Sequence, residues 1–175
     1  MKVTFIRHTH VAVESGICYG QSDVPVAHTF EEEANHVKES LRHRSFDQIY
    51  SSPLSRCKQL AHHCGFLHPI FDDRLKELHF GQWEMQHWNS ITDPHLELWY
   101  SDWIHLPTRG GESFIQQYQR VAHFLNELQQ THQKEVAIFT HRGVIACASV
   151  YAGLCSLENS FQQEIDYGSI TDLIL

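Results

Sequence analysis

No stretch of this sequence approaches the roughly 18 consecutive apolar residues of a membrane-spanning helix, so a bilayer anchor is not expected. Basic residues are scarce too. The 13 Lys and Arg are scattered against 21 Asp and Glu, giving a net charge of −8. Neither a nucleic-acid partner nor a polybasic membrane patch is expected from that balance. There is no Cys-x-x-Cys, and the five cysteines (Cys18, Cys57, Cys64, Cys147, Cys155) are odd in number. Cys57 and Cys64 share a predicted helix and lie about 10 Å apart along its axis, too far to bridge. The first apolar run stops at Arg7 and His8, well short of a signal-peptide core. Reduced thiols and a cytoplasmic location are expected. Repeats, low-complexity tracts and linkers are also missing, so residues 1–175 read as one domain able to bury a core.

The elements that can be read alternate between strand and helix. Val3–Ile6 is a short β-branched run, hence a buried strand. A loop of some twenty residues follows, and loops that long are usually functional. Thr29 with Glu32 has the capping-box spacing, opening a helix with Phe30, Ala34, Val37 and Leu41 inward to about His43. Phe46–Tyr50 is a second strand. Ser52 and Pro53 suggest the start of a second helix, with Leu54, Cys57, Leu60, Ala61 and Cys64 inward. A short strand is expected near Ile70–Phe71, and a long helix after Gly110-Gly111 carries Phe114, Tyr118, Val121, Leu125 and Leu128 on one stripe. Val136–Phe139 is a strand, Val144–Ala152 a helix, and 163–167 and 170–175 read as strands. This alternation predicts an α/β domain with a largely parallel sheet covered on both faces. Ligands of such sheets bind at the carboxyl ends of the strands. Arg7-His8, Ser51-Ser52 with Arg56, and Thr140-His141 therefore share one rim.

A phosphate monoester suits that rim. Its dianion is matched by the planar fork of arginine; Arg56, in the first turn of a helix, and Arg7, at a strand end, would share its oxygens. His8 would be the nucleophile, because a neutral imidazole offers a lone pair near pH 7 and a phosphohistidine splits one hard displacement into two. His141 would donate a hydrogen bond to the transferring group. The leaving alkoxide needs a proton from a carboxyl whose pKa the phosphate raises. The residues alone leave Glu77, Glu84 and Glu112 open for that task.

Five motifs occur in one order: FIRHT at Phe5–Thr9, SSPLSR at Ser51–Arg56, Glu77 with LHFGQWE at Leu78–Glu84, GGES at Gly110–Ser113, and THRG at Thr140–Gly143. Together they resemble the histidine phosphatase superfamily, in its phosphoglycerate-mutase-like branch, over nearly the whole chain. The resemblance implies a three-layer α/β/α sandwich, a phosphohistidine at His8, a phosphate pocket of Arg7, Arg56 and His141, and Glu77 as proton donor. In the other branch an Asp after the second His is the donor; here that position is Arg142. No metal and no organic cofactor are implied. The chain departs from the pattern at Thr9 (usually Gly), at Glu14 (usually an Asn that reaches the phosphate) and at Arg142 (usually small). Arg142 would meet a substrate carboxylate or second phosphate, or face solvent.

The loop Gly16–Pro25 is similar to one in the alpha-ribazole phosphatases of cobalamin assembly. That similarity makes the loop a wall of the pocket, so that Cys18, Tyr19, Gly20 and Gln21 join Thr9 and Arg142 in the expected substrate-binding set. A chain this short is expected to hydrolyse rather than act as a mutase. A broad-specificity or sugar-phosphate phosphatase, a mutase, and a phospho-ligand binder without turnover are the rival readings. Trp83, Trp88, Trp99, Tyr100 and Trp103 read as a satellite core over a sheet edge, or as a lid on an aromatic base. His8-x-His10 and His62-His63 do not make a metal site, since adjacent helix residues point about 100° apart and three or four ligands must converge.

Overall fold

The computed structural model describes residues 1–175. Its five-stranded sheet comprises β1 (Lys2–Arg7), β2 (Gln48–Ser51), β3 (Ile70–Phe71), β4 (Glu135–Thr140) and β5 (Ile170–Ile174), in the order β3-β2-β4-β1-β5. All neighbours run parallel except β5, which is antiparallel to β1. The helices are α1 (Phe30–Leu41), α2 (Ser55–His63), α3 (His95–Ser101), α4 (Phe114–Gln129) and α5 (Arg142–Tyr151).

The period of two along each strand divides the core between two faces. Val3, Phe5, Val136 and Ile138 pack under α4 and α5 with Val121, Leu125, Val144 and Cys147. Ile6, Ala137 and Phe139 face the other way, against Ala34, Val37 and Leu41 of α1 and Cys57, Leu60 and Ala61 of α2. Burying one side chain such as Phe5 stabilises the fold by about 1.5–3 kcal/mol. The result is the predicted α/β/α sandwich. No helix is long and apolar enough to cross a membrane, and all five cysteines are free thiols.

Several local readings change. Thr29 makes no cap hydrogen bond to the backbone; its hydroxyl bonds the Glu33 carboxylate instead, and three glutamates in the first turn favour the dipole of α1. The capping box lies at α4, where Ser113 Oγ accepts from the Gln116 N–H and Gln116 Oε1 accepts from the Ser113 N–H. Helix α2 starts at Ser55, because Ser52 and Pro53 form a turn in which Ser52 Oγ accepts from the Leu54 N–H. Residues 163–167 are not a strand. They form an irregular approach to β5, with Gly168 at φ 68°.

The register positions the site. Arg7 pairs with Thr140, and Ser51 with Phe139. His8, His141 and Ser52, each one residue past its strand or at its end, therefore emerge on one rim.

Candidate active site

His8 is buried, and its Nδ1 lies 2.7 Å from the Thr9 carbonyl oxygen. A carbonyl can only accept, so Nδ1 carries the proton and Nε2 keeps its lone pair. Burial, then the Arg56 charge, lowers the His8 pKa well below the ordinary value, so the ring is neutral at pH 7. The His141 ring is 5.1 Å away, centroid to centroid. Its Nε2 sits 2.8 Å from Ser52 Oγ, with the Cys57 sulfur at 3.5 Å. Burial, then Arg56, lowers the His141 pKa as well. Burial pushes the Cys57 thiol up to about 12, so it stays protonated.

Two guanidinium groups flank this pair. Arg56 is fully buried; Nη1 donates to the Ser22 carbonyl at 3.0 Å and Nη2 to the Gly20 carbonyl at 2.6 Å. Arg7 Nη1 donates to the Ile165 carbonyl at 2.5 Å, and its guanidinium lies over the Tyr167 ring. The Nε of each arginine is buried without a protein partner. Buried, unpaired donors on cations are costly unless an anion takes them up.

A cavity of about 230 Å³ opens beside His8. Arg7, Glu77, Arg142 and the Gly143 backbone form its polar side, while Tyr19, Phe80 and Trp88 are among its apolar walls. Glu77 Oε1 accepts from the Leu78 N–H and from Gln117 Nε2, and Oε2 accepts from the Gly143 N–H at 3.2 Å. The rival acids have other occupations. Glu84 accepts from the backbone N–H groups of Gln21, Ser22 and Phe80 and from the Ser22 hydroxyl. Burial pushes its carboxyl up, but those hydrogen bonds outweigh burial and hold it below the usual range. Glu112 pairs with Arg120 at 2.6 Å and accepts from the His79 N–H.

A family model of the histidine phosphatase superfamily (branch 1) matches residues 3–175. The chain belongs to that superfamily. This histidine phosphatase is 29% identical, over 83% of its length and 76% of the relative's, to the adenosylcobalamin/alpha-ribazole phosphatase of Escherichia coli K12. It is 25% identical to phosphoserine phosphatase 1 of Hydrogenobacter thermophilus over 91% of this chain and 79% of the relative. Among solved structures, the alpha-ribazole phosphatase of Shigella flexneri superposes with a TM-score of 0.86 at 25% identity, covering 98% of this chain and 89% of that one. The family and these relatives are phosphatases, which makes the chain an enzyme of that class acting on a small phosphate ester.

Within this histidine phosphatase the expected substrate wall divides. Tyr19 and Arg142 line the cavity. Gly20 contributes its carbonyl to Arg56, and Gln21 Nε2 donates to the Glu77 carbonyl. Thr9 is buried and serves through its carbonyl to His8. Cys18 does not join the wall: it is buried in a separate cluster with Trp83 and Ile91, its backbone paired with Met85 and Gln86. Glu14 is exposed on the loop. Arg142 turns toward the protein, donating from Nη2 to the Phe161 carbonyl at 3.0 Å, rather than into solvent. The satellite-core reading of the aromatic segment holds for most of its rings. Trp83, Trp88, Trp99 and Phe80 form the satellite cluster, Trp103 packs on the main core instead, and Trp88 and Phe80 also line the cavity. His10 is tied to Glu33 at 3.0 Å, and His63 pairs with Asn35. The residues that sequence reasoning missed are Tyr167, Gln117 and Gly143. The antiparallel partner of β1 must begin where β1 ends, so the turn before β5 was the available signal for Tyr167.

Proposed function

We propose that this chain hydrolyses phosphate monoesters through a phosphohistidine on His8, and that its substrate is alpha-ribazole 5′-phosphate in assembly of the cobalamin nucleotide loop. The observation carrying the chemistry is the His8 Nδ1 bond to the Thr9 carbonyl, which leaves the Nε2 lone pair for the cavity that also holds Arg7 and Glu77. Nε2 attacks phosphorus as the ester P–O bond breaks, and Glu77 protonates the departing oxygen. Arg7 and Arg56 hold the peripheral oxygens, and His141 donates a hydrogen bond to them. Water then attacks the phosphohistidine, the N–P bond breaks, and Glu77 takes the proton.

The substrate assignment is supported by the Phe80, Trp88 and Tyr19 walls, which suit a flat aromatic base, and by the relatives named alpha-ribazole phosphatases. One observation favours a second reading. Arg142 lines the cavity with its Nε buried and unpaired, which suits a second anionic group such as the carboxylate of phosphoserine.

Quenching turnover of p-nitrophenyl phosphate in base should trap an acid-labile phosphoryl group on His8, detectable by mass spectrometry and absent from His8→Ala. Wild-type turnover in His8→Ala would sink the mechanism. For the substrate, kcat/KM should favour alpha-ribazole 5′-phosphate over phosphoserine by orders of magnitude. The opposite ranking, reversed in turn by Arg142→Ala, would establish the second reading.

A further inference from the structure

Residues 165–169 wrap the end of β1. The Ile165 carbonyl accepts from Arg7 Nη1 at 2.5 Å, the Ser169 carbonyl accepts from the Arg7 N–H at 3.0 Å, and the Gly168 N–H donates to the His8 carbonyl at 3.1 Å. Inside this wrap the Tyr167 ring lies against the Arg7 guanidinium, with Cζ 3.8 Å from its centroid. The same ring is 5.6 Å from that of His8 and 4.1 Å from that of His10. Its hydroxyl is 2.7 Å from the hydroxyl of Tyr19, on the cavity wall.

A guanidinium grips an oxyanion with two parallel N–H groups along one edge. In Arg7 the Ile165 carbonyl occupies Nη1 and the aromatic ring covers one face, so the Nε–Nη2 edge remains, with Nε buried and unpaired. A plane held on one face and at one corner cannot turn that edge away. We infer that Tyr167 is a positioning residue for the phosphate site: its ring holds the Arg7 fork in the orientation that takes phosphoryl oxygens. Its hydroxyl links this platform to Tyr19 in the substrate wall. The inference deepens the reading of His8 as nucleophile and rests on it.

The test separates ring from hydroxyl, using p-nitrophenyl phosphate turnover and orthovanadate binding by calorimetry. Tyr167→Leu should raise KM and the vanadate dissociation constant about tenfold, more than it lowers kcat. Tyr167→Phe, which keeps the ring, should return both constants to within about twofold of wild type. A merely structural residue would lower kcat through loss of active enzyme while KM and vanadate affinity stayed put, and that outcome overturns the inference. Equal weakening by Phe and Leu overturns it too. If Tyr167→Leu does not fold, Tyr167→Met removes the ring at similar volume. Absence of trapped phosphohistidine in wild type would count against His8, whereas vanadate affinity reads Tyr167 regardless of turnover.

Discussion

The backbone N–H of Gly143 donates to Oε2 of Glu77, and no side chain fits between them: a Cβ on Gly143 would overlap Oε1 of the same carboxylate and crowd the Gln117 amide. Glycine at the second residue of α5 thus allows the helix backbone to seat the Glu77 carboxylate directly. Gly143→Ala should displace Glu77 and slow an alkyl phosphate about 100-fold, with a smaller loss on p-nitrophenyl phosphate, whose leaving group needs little protonation. Comparing kcat for the two esters checks this; equal losses would mean the substitution acts elsewhere.

Glu77→Gln and Glu84→Gln should separate chemistry from architecture. Glu77→Gln is expected to lower kcat for poor leaving groups by about 100-fold or more and to steepen the dependence of rate on leaving-group pKa. Glu84→Gln replaces an acceptor shared by Gln21, Ser22 and Phe80, so it should cost about 1–3 kcal/mol in urea unfolding. Its leaving-group dependence should match wild type.

His8 and His141 are buried as neutral rings, with pKa values lowered by burial and then by Arg56. The unfolded chain takes up protons near pH 6.5, so below that pH it binds more protons than the folded one. The stability each ring contributes is complete above about pH 6.5 and is lost as pH falls toward the folded value, by up to about 1.4 kcal/mol per pH unit per ring. Urea midpoints at pH 7.5 and 5.5 should show the drop, and His8→Asn should shrink it. An NMR titration placing either ring at 6.5 would contradict the burial argument.

Arg56 bridges the Gly20 and Ser22 carbonyls while its Nε stays unpaired beside the histidines. Lysine carries the charge but not the fork. Arg56→Lys should raise the vanadate dissociation constant at least tenfold and speed proteolysis or hydrogen exchange of the loop at residues 20–22. Unchanged loop exchange would show that the bridge does not hold it.

Much of the fold was legible one residue at a time. The continuous apolar runs Val3–Ile6 and Val136–Phe139 announced strands buried on both faces, and the stripe Phe114, Val121, Leu125 and Leu128 announced α4. The start of α1 after Thr29 was legible, although the Thr29 hydroxyl turned to Glu33 instead of the backbone; the start of α2 was not, because Ser52 accepts from the Leu54 N–H and faces His141 ahead of the helix. Cys18 misled for a similar reason. Its neighbours Ile17 and Tyr19 line the cavity, but the Cys18 side chain faces the Trp83 cluster instead.

Side-chain type and strand-end placement were enough to nominate Arg7, His8, Arg56 and His141, since apolar periodicity locates strand ends and few residue types can hold or attack a phosphate. The resemblance had already singled out Glu77, but its place on the cavity wall where Glu84 and Glu112 are absent, its contacts with Gly143 and Gln117, and the Tyr167 ring against Arg7 became visible only in three dimensions. Those contacts join distant segments, and no pattern along the chain encodes partners about 40 to 160 positions away. Chemical capacity is a property of single residues, whereas availability is a property of their neighbours in space.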